Sequence, residues 1–275
     1  MKGEKIMSAR YGLLLTALLV SSAASAQGDC GNYGWGWRGA QRNHECAVRE
    51  LTLPGSGSLT VNAGPNGGIT VTGEDRRDVH VRAIVHTWGR DEADADRIAG
   101  EVTVHTDGVL RAEGPDGEGR TGWAVSFEIR VPRETDLKLE TQNGGVSLTD
   151  VRGDLEFEAV NGGVTLNGVG GNVRGQTTNG GVTARLTGDT WDGAGLDLKT
   201  TNGGVVLRVP ENYSARLETG TVHGGIDVDF PVTMQGRIGR EVSTTLGRGG
   251  PLVRVATTNG GVRVMRTPAG LQRLQ

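Results

Sequence analysis

The run LKLETQNGGVSLTDVRGDLEFEAVNGGVTLNGVGGNVRGQTTNGGV, from Leu137 to Val182, carries one phrase three times at intervals of 18 residues: Asn-Gly-Gly-Val, starting at Asn143, Asn161 and Asn179. The phrase returns at Asn202 and Asn259, becomes Asn-Gly-Gly-Ile at Asn66, and becomes His-Gly-Gly-Ile at His223. Apolar residues alternate on both sides of it. Before the Asn stand Leu137 and Leu139, Leu155 and Phe157, Leu196 and Leu198, Val253 and Val255; after it stand Val146 and Leu148, Val164 and Leu166, Val205 and Leu207, Val262 and Val264. Period-2 alternation marks strands, so each unit reads strand, turn, strand. Two residues before the phrase the chain prefers threonine, at Thr141, Thr177, Thr200, Thr221 and Thr257. The apolar parity changes across Asn-Gly-Gly, so the turn must bend the chain, and glycine is expected there for the positive φ that such a bend uses.

The spacing weighs two architectures. From Asn179 to Asn202 is 23 residues, His223 follows after 21 and Asn259 after 36, or two periods of 18. A fixed period means one unit stacked on copies of itself, like residues above like, with the Asn amides free to hydrogen-bond along the stack. A meander of hairpins competes, because Asn-Gly is also the strongest short hairpin signal. A meander has no need to repeat the Thr and both glycines. The reading is therefore all-β: a β-solenoid, single-stranded and β-helix-like, of ~18-residue coils, with an irregular β-rich N-terminal part and one short helix. Asn66, Asn143, Asn161, Asn179, Asn202, His223 and Asn259 form its expected repeat ladder.

Residues 1–26 read as a signal peptide. Lys2, Lys5 and Arg10 precede an apolar run from Leu13 to Val20, and Ala24-Ser25-Ala26 supplies a small-residue cleavage site. Gln27 and Asp29 before Cys30 do not suit a lipid anchor. Removal of the peptide takes Lys+Arg from 29 to 26 and Asp+Glu from 32 to 31, leaving a mildly acidic chain that argues against nucleic acid as a partner. Aromatics at 4% and 47 glycines leave a core of Val and Leu layers, which suits a slim repetitive stack. No further run is long enough to span a membrane as a helix.

Cys30 and Cys46 bound a Gly- and Trp-rich segment, 27–48. An even pair in an exported chain predicts a disulfide. Trp35 and Trp37 between them read as a stapled cap over the end of the stack or as a binding loop. Over 49–135 the β pattern is less regular: Leu59, Val61 and Ala63 lead into the isolated unit at Asn66, and Val79, Val81, Ala83 and Val85 face one way while His80, Arg82, Ile84 and His86 face the other. Arg90 to Gly100 reads as a short helix with an acidic N-terminus; Asp91, Glu92, Asp94 and Asp96 lack the Gly and terminal Glu of a calcium loop and read as a solvated helix end. Val102 to Val104, Val109 to Ala112 and Trp123 to Val131 read as strands. The regular array occupies 136–266 and a disordered tail 267–275. Its longer intervals place Trp191 and Tyr213 in loops, where they mark a common surface or pack back onto their own coils, and the double interval after His223 holds a degenerate coil near Thr244 and Leu246 or a long loop.

Val131-Pro132, the run from Leu137 to Thr141, Asn143-Gly144-Gly145-Val146 and the 18-residue spacing together resemble the bacterial putative adhesin family of β-strand-repeat domains of unknown function. The likeness runs from about Arg49 to Met265; the family more often has Ser-Gly-Asp or Asn-Gly-Asp at the turn. It implies a cell-envelope β-solenoid and carries across no catalytic residue. Asp150, Asp154, Asp189, Asp192, Asp197, Asp227 and Asp229 occupy different register positions and form no acid/base pair, and no nucleophile, zinc or phosphate-loop motif is present. An ice-binding face would need Thr178, Thr201 and Thr258 to lie flat beside the Thr141 column. The expectation is a non-catalytic exported protein, periplasmic or at the cell surface, without cofactor or metal, serving envelope adhesion or protein interaction through an unnamed envelope protein or surface polymer. A carbohydrate-active β-helical enzyme and a self-associating structural solenoid are the alternatives.

Overall fold

The computed structural model describes residues 30, 44–117, 119–229 and 240–267. The expected signal peptide, Trp35 and Trp37, and the tail after Thr267 lie outside these residues. Among the described residues no helix is long and apolar enough to cross a membrane.

The front part runs β1 (His44–Pro54), β2 (Ser58–Asn62), β3 (Ile69–Glu74), β4 (Asp78–Trp88), α1 (Glu92–Glu101), β5 (Thr103–His105), β6 (Leu110–Glu113) and β7 (Gly122–Pro132). The repeats follow as pairs of strands joined at Asn-Gly-Gly: β8 (Asp136–Asn143) and β9 (Val146–Thr149), β10 (Arg152–Asn161) and β11 (Val164–Asn167), β12 (Gly170–Asn179) and β13 (Val182–Arg185), β14 (Gly195–Asn202) and β15 (Val205–Pro210). The described residues end with β16 (Ala215–His223), β17 (Ile226–Val228), β18 (Glu241–Leu246), β19 (Leu252–Asn259) and β20 (Val262–Thr267).

Two ten-stranded sheets result. One has the order β1-β4-β7-β3-β9-β11-β13-β15-β20-β17, the other β18-β16-β19-β14-β12-β10-β8-β2-β6-β5. The strand before each Asn lies in the second sheet and the strand after it in the first, so every turn carries the chain from sheet to sheet. Pairing between repeats is parallel and in register: Leu155 stands beside Leu137 and Val173, and Val164 beside Val146 and Val182. Like residues therefore form layers. Leu139, Leu148, Leu198 and Leu207 are fully buried between the sheets, each burial contributing about 1.5–3 kcal/mol. Gly175 stands opposite Phe157, whose ring fills the space that a Cβ on Gly175 would need.

Three departures from the sequence reading follow from pairing. The Asn66 unit is not isolated; β2 and β3 pair with β8 and β9 and continue the stack. The last repeat is not at the end either, because β19 lies between β14 and β16, and β20 between β15 and β17. The segment near Thr244 and Leu246 is neither coil nor loop: β18 closes the second sheet as an antiparallel edge strand on β16.

Helix α1 starts at Asp91, whose side chain accepts from the Asp94 amide at 2.8 Å, a favourable cap. Arg49 donates to the carbonyls of Ala99 and Val102 at its other end. Thr87 Oγ1 bonds Ala95 O at 2.9 Å, and Ile98 joins the core. Asp94 is not solvated. Arg90 and Arg97 reach it at 3.0 and 2.9 Å, and the hydrogen bond from Arg97, then that from Arg90, holds its carboxyl at about 2. Ile84 keeps the side of β4 that carries His80, Arg82 and His86, and is fully buried there beside Val48, apart from the core between the sheets.

Candidate functional site

The Asn-Gly-Gly turn explains its own composition. Among the turn glycines only Gly260, at +155°, has φ in the left-handed range, so backbone freedom is not the main requirement. Close approach is. A Cβ on Gly144 would collide with the Gly67 carbonyl oxygen, one on Gly162 with that of Gly144, one on Gly180 with that of Gly162, and one on Gly203 with that of Gly180. The second glycine is looser: a Cβ on Gly163 would lie 3.5 Å from Gly181 O. The same carbonyls accept the buried threonines. Thr177 Oγ1 bonds Gly162 O at 2.8 Å, Thr200 Oγ1 Gly180 O at 2.7 Å, Thr257 Oγ1 Gly203 O at 2.8 Å and Thr221 Oγ1 Gly260 O at 2.8 Å. Packed hydroxyls thereby satisfy backbone acceptors at a turn that the ladder alone leaves underused.

The asparagine ladder is present. Asn143 Nδ2 donates to Asn66 Oδ1 at 3.2 Å, Asn161 to Asn143, Asn179 to Asn161 and Asn202 to Asn179 at 2.8 Å each, and Asn259 to Asn202 at 2.7 Å. His223 pairs in register with Asn259 and occupies the last rung.

Because the buried threonines face inward, they form no exposed column beside Thr178, Thr201 and Thr258; adjacent residues of a strand point to opposite faces. The ice-binding arrangement is excluded on that geometry. What the second sheet does present is the residue immediately before each Asn of the array and before His223. In spatial order these are Gln142, Val160, Thr178, Thr201, Thr258 and Val222, the last five β-branched, with both valines exposed, at 38% and 47%, spaced by about 4.8 Å per strand. Beside this column the residues shrink from Lys199 to Ala256 and Gly220 and grow again at Glu241. The result is a shallow depression of about 400 Å³, floored by Ala256 and Gly220 and edged by Gln176, Thr201, Thr258 and Val222. Its walls offer hydroxyls, an amide, methyl groups and one charge of each sign. Lys199 contacts Asp197 at 3.4 Å.

Trp191 and Tyr213 do not mark a common surface. Each is 3% exposed and belongs to the core; Trp191 Nε1 bonds Gly171 O at 2.9 Å, and burial, with Asp192 nearby, lifts the Tyr213 phenol above its ordinary range. Aromatics in a repeat with few others are drawn to the interior because each removes a large apolar area from water. Four of the aspartates stand beside cations or an amide: Asp192 by Arg152 at 2.6 Å, Asp227 by Arg263 at 3.4 Å, Asp150 by Arg133 at 3.7 Å, and Asp154 by the Asn172 amide at 3.1 Å.

Cys30 and Cys46 form a disulfide, Cα atoms 6.4 Å apart. Cys46 pairs across β1 and β4 with His86, whose imidazole is pushed down by burial and secondarily by His44. His80 lies 3.8 Å from Glu50.

No family model matches the chain, and no curated protein matches it. Solved structures do. A putative cell adhesion protein from Clostridium sporogenes is similar at 11% identity over 81% of this chain and 100% of its own, with a TM-score of 0.47. A putative adhesin from Bacteroides fragilis is similar at 13% identity over 83% of this chain and 100% of its own, with a TM-score of 0.42. A putative lipid binding protein from Parabacteroides distasonis is similar at 8% identity over 81% and 96%, with a TM-score of 0.27.

Proposed function

We propose that this chain is an exported, non-catalytic, adhesin-like protein of the cell envelope, a β-solenoid whose second sheet is the adhesive face. In-register parallel pairing at an 18-residue offset supports the solenoid. The Cys30–Cys46 disulfide supports an oxidising compartment, periplasm or cell surface. The observation that carries binding is the exposed column Val160, Thr178, Thr201, Thr258 and Val222 along its depression. Five β-branched side chains at one height form a flat surface of methyls and hydroxyls, rigid before any partner arrives, so little side-chain entropy is lost on contact.

The test is saturable retention of residues 27–275, disulfide intact, on the cell-envelope fraction, compared with Thr201→Lys and Thr258→Lys. Each lysine adds a long, hydrated side chain to the face. Retention weakened by about tenfold or more, with no product released from envelope polysaccharide, is the expected result. Equal retention of all three proteins would overturn the assignment of this face, and release of product would overturn the non-catalytic reading.

A further inference from the structure

Among the described residues, the two strands that come last in sequence occupy an interior place in both sheets. Beside β19 lie β14 and β16; beside β20 lie β15 and β17. All four neighbours precede them in sequence. The site they fill is therefore a slot built by earlier residues, closed when the C-terminal repeat enters.

The slot reads its occupant closely. In the turn, Gly203 N donates to Asn259 O and Gly260 N to His223 O, both at 3.0 Å, while Val205 N donates to Gly261 O and Val262 N to Gly225 O, both at 2.9 Å. Asn259 and Thr257 donate downward to Asn202 and Gly203, and Thr221 donates to Gly260 from the other side. Charge completes the recognition. Asp197 and Glu218 stand on either side of the slot, and Arg254 enters between them, 2.7 Å from Glu218 and 3.8 Å from Asp197; in the other sheet Arg263 meets Asp227 at 3.4 Å. A strand–turn–strand bearing Asn-Gly-Gly-Val and an arginine five residues before the Asn is what fits.

The tether to this segment is residues 247–251, Gly-Arg-Gly-Gly-Pro, with Gly247, Gly249 and Gly250 at φ of +52°, +78° and +143°. Opened out, five residues reach about 17 Å. We propose that β19 and β20 form an exchangeable segment, and that the slot also accepts the C-terminal repeat of a second copy of this chain, giving a strand-swapped assembly. Every contact of the closed chain is remade between copies, so the balance depends on concentration and on the hinge. The pairing is donor-strand in kind, main-chain bonds supplying affinity and Arg254 the selection. It stands on topology and does not depend on the adhesive face.

Two full-length variants, Thr201→Cys and Thr258→Cys, place thiols on adjacent strands of the slot and its occupant. Mixed, unfolded in urea with Cys30–Cys46 oxidised, and refolded at high concentration, they are treated with a short bismaleimide. The expected result is a cross-linked species of doubled mass that neither variant gives alone, and that is lost when Arg254→Glu is added to the Thr258→Cys chain but kept with Arg254→Lys. If the mixture gives no more dimer than the separate variants at any concentration, the exchange is overturned. Dimer that persists with Arg254→Glu overturns the role of Arg254.

Discussion

Ala159 interrupts a column of buried hydroxyl donors. In the neighbouring repeats Thr141 and Thr177 fill the same register position and donate to a turn carbonyl, while Ala159, 1% exposed, has no hydroxyl to offer. Ala159→Thr is expected to stabilise the fold by about 1 kcal/mol, a rise of roughly 2–4 °C in thermal midpoint; a fall would mean that Phe157 and its neighbours leave no room. The two turn glycines are expected to separate sharply. Gly162→Ala forces a Cβ onto the Gly144 carbonyl, backbone against backbone, and should cost about 3 kcal/mol or more. Gly163→Ala meets only a 3.5 Å contact and should change stability by less than about 1 kcal/mol, since the loss of unfolded-state freedom offsets it; denaturant midpoints of the two variants decide. Asp94 tests the charge reading. Its folded carboxyl is held at about 2 against an ordinary 3.8, so the stability it contributes is whole above 3.8 and is lost as pH falls through 2. Melting curves of the native chain and Asp94→Asn should differ at pH 5 and converge toward pH 2; a constant difference would place the effect in packing.

At the scale of elements, strand order in the second sheet is tied to charge. The residues five before each Asn from Asn143 onward, and before His223, are, in chain order, Lys138, Glu156, Arg174, Asp197, Glu218 and Arg254, a series in which two acidic residues adjoin. In spatial order Arg254 stands between Asp197 and Glu218, and the column alternates in sign along its whole length. Like charges directly opposite destabilise a sheet and opposite ones support it, so inserting β19 removes one repulsive pair and creates two attractive ones. Arg254→Glu is expected to lower the urea midpoint. Adding Glu218→Arg should recover part of the loss, since it restores an opposite-charge pair between β16 and β19 while Asp197 on β14 still faces a carboxylate. Full recovery, or no initial loss, would detach the strand order from this column. The column was the signal available in the sequence for the order. Period, strand pairs, Thr column and Asn ladder were legible because parallel stacking maps each onto one register position. Order was not, because a repeat fits above any other repeat with the same letters and only its differences, here the sign at one position, discriminate. Between a common surface and a packed ring the sequence left Trp191 and Tyr213 open for a related reason: interval length places a loop, whereas burial of a large ring is decided by the space left between layers.

For the whole molecule the order of repeats changes what the C-terminus does. In a stack built in chain order, each repeat contacts only its neighbours, and removing the last one uncovers an end at the cost of a single interface. Here the last repeat has a neighbour on both faces, so its removal breaks two interfaces in each sheet and leaves β16 and β17 separated from β14 and β15 by an unfilled rung. The chain ended at Pro251 is therefore expected to lose amide protection in β16, β17 and β18 altogether and in the outer edges of β14 and β15, while the layers from β2 and β3 through β12 and β13 stay protected. That pattern is a local opening of one contiguous unit, readable by hydrogen exchange followed strand by strand. The front of the molecule should be unaffected, because α1, the long antiparallel β1 and β4, and Arg49 on the helix carbonyls close the opposite end. If β16 and β17 instead kept native protection in the shortened chain, they would have to pair directly with β14 and β15, bringing Glu218 beside Asp197. The two carboxylates would then stand on adjacent strands without Arg254 between them, and that state should weaken further at low salt, where like charges repel over a longer range. Protection that is both retained and indifferent to salt would show that the last repeat is dispensable to the stack.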